Sequence, residues 1–174
     1  GYNGAEGNFV LNSTIAAPND FFVNAMDFGK INAATTDVIN ICATGEPGEP
    51  THAGNPPCHS MWWKWTAPKD GVAQFTTAGS RVDTVMSIYT GTTLGALTLV
   101  TDVNGNPGEN DDYPPLSPNK FSSVIFAVTE NTSYYIAVDG KLCDVGNITL
   151  SFSAGGPQND FFGAPTVLPF PTLS

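Results

Sequence analysis

Positive charge is scarce in this sequence: six Lys and Arg stand against sixteen Asp and Glu in 174 residues, a formal net charge of −10. A surface of that sign repels nucleic acid and anionic lipid, because phosphate binding draws on Lys and Arg. Long apolar runs are also missing, so nothing reads as a membrane-spanning helix. Cysteine is limited to Cys42, Cys58 and Cys143, none in a C-x-x-C pair, which argues against a zinc site. No basic, apolar and small-residue leader opens the chain, so Gly1 reads as a mature or internal end. There is no G-x-S-x-G, no H-E-x-x-H and no phosphate-binding loop, so the usual nucleophile, metal and nucleotide signatures are lacking. The expectation is a protein that is not an enzyme, has no nucleic-acid partner and does not insert into a membrane.

What is present points to short strands and many turns. The 18 Gly and 14 Pro make up about 18% of the chain against a usual ~12%. Gly has no three-residue period, which excludes a collagen-like helix. With 11% aromatic residues the chain has enough to bury for one domain with a real core. Few Lys among many Thr, Asn, Ser and Gly is a composition met in secreted bacterial surface proteins, which predicts an extracellular or cell-surface location. In an oxidising compartment two of the cysteines would pair. Spacing does not choose the pair: Cys42–Cys58 closes a short loop and Cys58–Cys143 a long one.

An internal repeat organises the chain. The segment from Gly7-Asn8-Phe9-Val10-Leu11 to Asn19-Asp20-Phe21-Phe22 returns as Gly146-Asn147-Ile148-Thr149-Leu150 to Asn159-Asp160-Phe161-Phe162. The offset is 139 at the Gly-Asn pair and 140 at the Asn-Asp-Phe-Phe block. Residues 1–18 therefore read as the last strand of a preceding repeat, or a donor strand, plus a linker. Residues 19–153 form the repeat itself, and residues 154–174 a linker with the start of the next repeat or an extended tail. A strand over Phe9–Ile15 left alone would expose a row of backbone donors and acceptors, so it must join a sheet. Phe9, Val10, Leu11 and Ile15, with Phe161 and Phe162 at the other end, are the expected polymer contacts. Copies of the chain or neighbouring repeats are the expected partners. They would be linked by tandem covalent connection or by donor-strand exchange, and either contact propagates into a linear polymer.

Within the repeat, alternating runs separated by turn residues predict an all-β fold, a jelly-roll-like β-sandwich with long loops. The runs are Ser60–Trp65, Val72–Thr77, Thr84–Tyr89, Leu97–Val103, Phe121–Val128, Ser133–Val138 and Ile148–Phe152. The first places Met61, Trp63 and Trp65 on one face, with Trp62 and Lys64 on the other. Only Asn19–Phe28 could hold a helical turn. Two long loops, Cys42–Cys58 and Asp102–Asn119, exceed the usual length and are expected to be functional or tied down.

Five blocks carry a resemblance to known proteins: Asn19–Ala25, Ala43–Gly54, Ser60–Pro68, Val82–Gly91 and Tyr134–Gly140. Together they resemble the β-sandwich repeats of large secreted bacterial proteins related to the pre-peptidase C-terminal domain, over residues 19–153. The resemblance implies a compact sandwich, often in tandem, with no catalytic centre of its own. Relatives accompany secreted peptidases and surface proteins, bind substrate or matrix, and in some cases hold calcium. Cys58, Cys143 and the Pro-rich stretch from Asp102 to Asn119 depart from the usual pattern.

Calcium is the one cofactor to weigh. Asp102-Val103-Asn104-Gly105-Asn106 has the D-x-N-x-N start of an oxygen-ligand loop, but Pro107 and Tyr113 break the rest of that pattern. Asp83 and Asn110-Asp111-Asp112 match acidic positions of the family, giving Asp83, Asp102, Asn104, Asn106, Asp111 and Asp112 as candidate ligands. His52, Cys58 and His59 are too irregularly spaced for a soft-metal site. Glu46 and Glu49, in a loop pinned by Pro47 and Pro50, read as acceptors for backbone or His52 hydrogen bonds rather than a glycosidase pair. Trp62 is a candidate platform for stacking a polysaccharide ring, if no loop covers it. Asn12, Asn131 and Asn147 fit the N-x-S/T pattern for glycosylation. The function these readings predict is a non-enzymatic extracellular repeat that builds a fibre, sheath or adhesive stalk. The alternative is a carbohydrate- or matrix-binding module on a secreted hydrolase.

Overall fold

Alternation of apolar and polar side chains accounts for most of the observed strands. A computed structural model describes residues 17–113 and 120–156. Its strands are Met26–Asp27 (β1), Ala33–Ile39 (β2), Met61–Thr66 (β3), Gly71–Thr76 (β4), Thr84–Thr90 (β5), Thr98–Leu99 (β6), Glu109–Asn110 (β7), Ser123–Val128 (β8), Ser133–Gly140 (β9) and Asn147–Gly156 (β10). They form an all-β sandwich of two sheets. The first has the order β1-β3-β9-β5-β6, with β7 also on β5, and the second β2-β10-β4-β8. Among the described strands only β1 pairs in parallel, beside β3.

The core lies between the sheets. Met61, Trp63 and Trp65 point into it from β3, as their spacing predicts, and Ile148, Leu150 and Phe152 meet them from β10. Phe152 stacks on Phe75 with ring centres 4.8 Å apart and also touches Trp65 and Phe28. β10 is thus a central strand, flanked by β2 and β4.

One strand was not anticipated, and two expectations needed adjustment. Ala33–Ile39 carries too little apolar weight to read as a strand, yet its register on β10 makes it the edge strand β2. Leu97–Val103 shrinks to the two-residue β6, because the chain then crosses to the other sheet. There Asp102 bridges Phe126, and the Val103 N–H donates to Ile125 O at 2.9 Å. The helical turn is a single 3-10 turn at Phe22–Asn24, with two others at Leu94–Ala96 and Lys141–Cys143.

The strands give the sandwich two distinct ends. At the leading end Ala17, Pro18, Ile39 and Asn147 share one groove, and β5 and β9 meet there at Thr84 and Gly140. At the trailing end Ala33 pairs with Ser153, Val72 with Gly156, and Thr66 with Ser133. β10 runs from one end to the other, ten residues or about 30 Å. Truncating Phe152 to Ala should open a cavity against Phe75, Trp65 and Phe28 and lower stability by about 3–5 kcal/mol. Urea unfolding of the variant checks this.

Candidate functional site

The outer face of the first sheet is the least ordinary surface of the molecule. Trp62 points away from the main core, as expected for its place in β3, but it is fully buried. It belongs to a second cluster with Tyr89 and Ala137, onto which Phe22, Leu94, Leu97 and Tyr135 pack. The Phe22 ring meets Trp62 edge-on at 5.1 Å and Tyr135 at 4.6 Å. Trp62 therefore offers no face to a sugar, and the stacking expectation is corrected: the loops cover it.

His52 completes this cover against Trp62 and Tyr89, and it comes from the segment from Asn40 to Ser60, which contributes no strand to either sheet. Its backbone N–H groups still need acceptors once buried, and carboxylates supply them. Asp139 on β9 accepts from the Cys58 N–H at 2.7 Å, from His59 at 3.0 Å and from Gly140 at 2.7 Å. Glu109 on β7 accepts from the Ala53 N–H and the Ser87 hydroxyl. Glu49 accepts from the Glu46 N–H and from His52 Nε2–H at 2.9 Å, the bonding read from the loop sequence. His52 Nδ1 lies 3.1 Å from Tyr89 Oη, which donates to Thr51 O. The row Glu49–His52–Tyr89 has the residue types of an acid–base relay, but the side chains of Glu49 and His52 are both closed to solvent. Burial pushes the Tyr89 phenol up to about 12, with the charges of Glu109 and Glu49 adding to it against the Ser87 hydrogen bond.

Against this covered face sits the Asn19-Asp20-Phe21-Phe22 block. Asn19 and Trp62 exchange two hydrogen bonds: the Trp62 N–H donates to Asn19 O at 2.8 Å, and Asn19 Nδ2 donates to Trp62 O at 3.0 Å. Asp20 accepts from the Thr44 N–H, and Glu46 accepts from the Phe22 N–H. Each position of the block but exposed Phe21 thus has a defined seat: a strand edge, a loop amide, and an aromatic socket.

The expected calcium ligands do not converge on one place. Asp83, Asp111 and Asp112 bring carboxylate oxygens within 4.8 Å of one another. Asp83 Oδ1 and Asp111 Oδ1 are buried and unpartnered, so the donor set suits a hard cation. Two ammonium groups already offset part of its charge, Lys120 at 3.1 Å from Asp83 and Lys141 at 2.6 Å from Asp111. Asp102 lies outside the trio. Its Oδ1 accepts from the Asn104 and Asn106 N–H groups at 2.8 Å each, so the D-x-N-x-N spacing serves a turn rather than a metal.

Cys58 and Cys143 form a disulfide at the leading end, and Cys42 is free. His59 Nδ1 bonds to Ala43 O, so none of His52, Cys58 and His59 is arranged as a metal ligand. Asn131 is exposed and accepts from Lys30 Nζ, while Asn147 is half-buried where β10 begins. Phe9, Val10, Leu11, Asn12, Ile15, Phe161 and Phe162 lie outside the described residues. The sequence reading missed Asp20, Glu109 and Asp139 as loop anchors; an acidic residue beside a long loop is too common a pattern to mark one. No known protein-family model matches the chain, and no curated protein is significantly similar to it.

Two tests follow from this geometry. Asp139→Asn leaves an amide facing the Cys58 N–H and should cost about 1.5–3 kcal/mol, the loss of a charge-assisted hydrogen bond, measured by urea unfolding at pH 7. The acid limb comes from other residues. Desolvation raises the Asp102 carboxyl, but the Asn106 and Asn104 donors outweigh it and hold it below the usual range. Asp27 is lowered likewise, its desolvation outweighed by the Gly29 N–H and the Lys64 ammonium. A depressed folded value means stability that is complete above the unfolded value of about 3.9 and lost as pH falls through the folded one. Asp139 runs opposite: burial raises it against the pull of the Cys58, His59 and Gly140 N–H groups. Its share is present at low pH and lost as pH rises through its folded value. Asp102→Asn should therefore flatten the fall in unfolding midpoint below about pH 4, while Asp139→Asn should not.

Proposed function

We propose that this chain is a non-enzymatic structural repeat from an extracellular bacterial polymer, a fibre, sheath or stalk in which β-sandwich units follow one another in a line. One observation carries the reading. The two sequence blocks that occur twice are both slot-fillers in this unit, and each slot holds a segment of the unit itself. Asn19–Phe22 seats on Trp62 and the covering loop, and Asn147–Gly156 is the central strand β10. The second copies, within Gly7–Ile15 and Asn159–Phe162, would by their sequence fill the equivalent slots of a unit before it and a unit after it.

That logic favours tandem covalent linkage over donor-strand exchange. Exchange needs an empty groove in the acceptor, and here β10 fills the central position. The first copy also suits a different groove: at the offset of 139, Ser13 falls where Phe152 stands. Ser13 in this core would leave Phe75, Trp65 and Phe28 without their stacking partner. A preceding unit related to this one, as in the pre-peptidase C-terminal-like repeats, would carry a larger side chain opposite. Calcium has no required part in this role, since Lys120 and Lys141 supply countercharge to the acidic trio. A carbohydrate-binding module loses its platform with Trp62 buried.

Native material run on a reducing, fully denaturing gel tests the proposal. A very large species is expected. A band near 18.3 kDa from a linear polymer would replace tandem linkage with donated strands, and native material that is monomeric before denaturation would overturn the polymer itself.

A further inference from the structure

The leading end of the sandwich leaves aliphatic side chains in water. Of the large hydrophobic residues that are exposed among the described ones, Ile39, Ile41, Leu142 and Val145 all lie there, Ile39 at 57%, Ile41 at 51% and Leu142 at 86%. They form one neighbourhood, because Asn40, between the two isoleucines, is tied to the other loop. Its Nδ2 donates to Asp144 O, and its Oδ1 accepts from the Gly146 N–H. Scattered exposed hydrophobics need no explanation, but a cluster on one end does.

The backbone is bent to produce this surface. Leu142 and Cys143 have φ of 53° and 66°, a left-handed conformation that disfavours side chains with a Cβ. Two such residues in a row persist because the Cys58–Cys143 disulfide holds the turn, and the Lys141 N–H donates to Asp83 O. The result is a Leu side chain pointed outward from a fastened loop.

Beside the cluster, the edge of the sandwich is unfinished. Ala34, Thr36 and Val38 face inward from β2 yet stay half-buried, and Ala17, Pro18, Met26, Val38 and Ile39 line an open groove. At the offset of 139, Ala17 falls where Gly156 stands, the last residue of β10. In this unit β10 ends at the trailing end. A preceding unit built on the same plan would therefore bring its own trailing end to this groove, with almost no linker between.

We propose that the leading end, formed by Ile39, Ile41, Leu142, Val145 and the Ala17–Pro18 groove, is the seat for the trailing end of the preceding sandwich unit. The inference rests on the structural-repeat reading above and adds polarity and contact to it. Each unit is threaded from end to end by β10, so the stack has one direction and the units abut rather than swing on linkers. The trailing end offers a matching chemistry: Ile31 is exposed there, and Lys69 lies beside Gly155, opposite in sign to Asp37 in the groove.

Hydroxyl-radical footprinting, read by mass spectrometry on native assembled material and on the isolated 174-residue chain, tests this. Val23, exposed at 84% on another face, is the internal control. Leu142 and Ile41 should be modified about fivefold or more slowly in the native material, as residues at the core of an interface are, while Val23 is unchanged. A linear polymer in which Leu142 reacts as fast as Val23 overturns the seat and leaves the structural-repeat reading standing. Native material without a polymer overturns both.

Discussion

The structure depends on how one loop is fastened. The first sheet is aromatic on both faces, and on its outer face His52 of the Asn40–Ser60 segment packs against Trp62 and Tyr89, beside Phe22, Leu94 and Leu97. That segment contributes no strand, so its buried amides cannot be satisfied by pairing as a third sheet would be. Carboxylates take the place of carbonyls: Asp139, Glu109 and Glu49 hold the loop down, and Asp20 and Glu46 tie it to the segment that precedes β1. Each such bond joins an ionised acceptor to a backbone donor, the stronger class of hydrogen bond. The acidic bias of the composition thus has a structural share as well as a surface one.

This arrangement connects the cover to the proposed role. Because Asp20 and Glu46 belong to the two halves of one seat, the Asn19–Phe22 block docks only where the loop is in place. Among the described residues the unit closes on its own segments: Asn19–Phe22 takes the seat on Trp62 and Asn147–Gly156 the central strand position. A line of such units would transmit tension through β10, which is bonded along both edges, and through the Asn19–Trp62 exchange at its neighbour's start. The disulfide adds a further tie at the end where the loop and the β9–β10 connection meet.

Much of this was legible in the sequence, for a physical reason. Strands buried on one face alternate, so β3, β4, β5, β8, β9 and β10 could be read within a few residues, as could the inward Trp63 and Trp65. β2 escaped because an edge strand with half-exposed inward residues, Ala34, Thr36 and Val38, has little hydrophobic contrast. Trp62 was ambiguous because its burial is decided by Phe22 and His52, far away in sequence. The disulfide pair was open because Cα proximity is a tertiary fact, and the left-handed turn at Leu142–Cys143 that presents Cys143 to Cys58 has no glycine to mark it. Asp102-x-Asn104-x-Asn106 misled because an oxygen-rich turn and an oxygen-rich metal loop share their opening residues.

The central claim is that the sandwich fills its own slots, and excising residues 17–156 tests it most directly. The account predicts that this piece unfolds in urea in one cooperative transition, with the same midpoint as the 174-residue chain. A piece that is unfolded or markedly less stable, and that regains its stability when a peptide of residues 1–16 is added, would contradict it and show that the fold needs a donated strand.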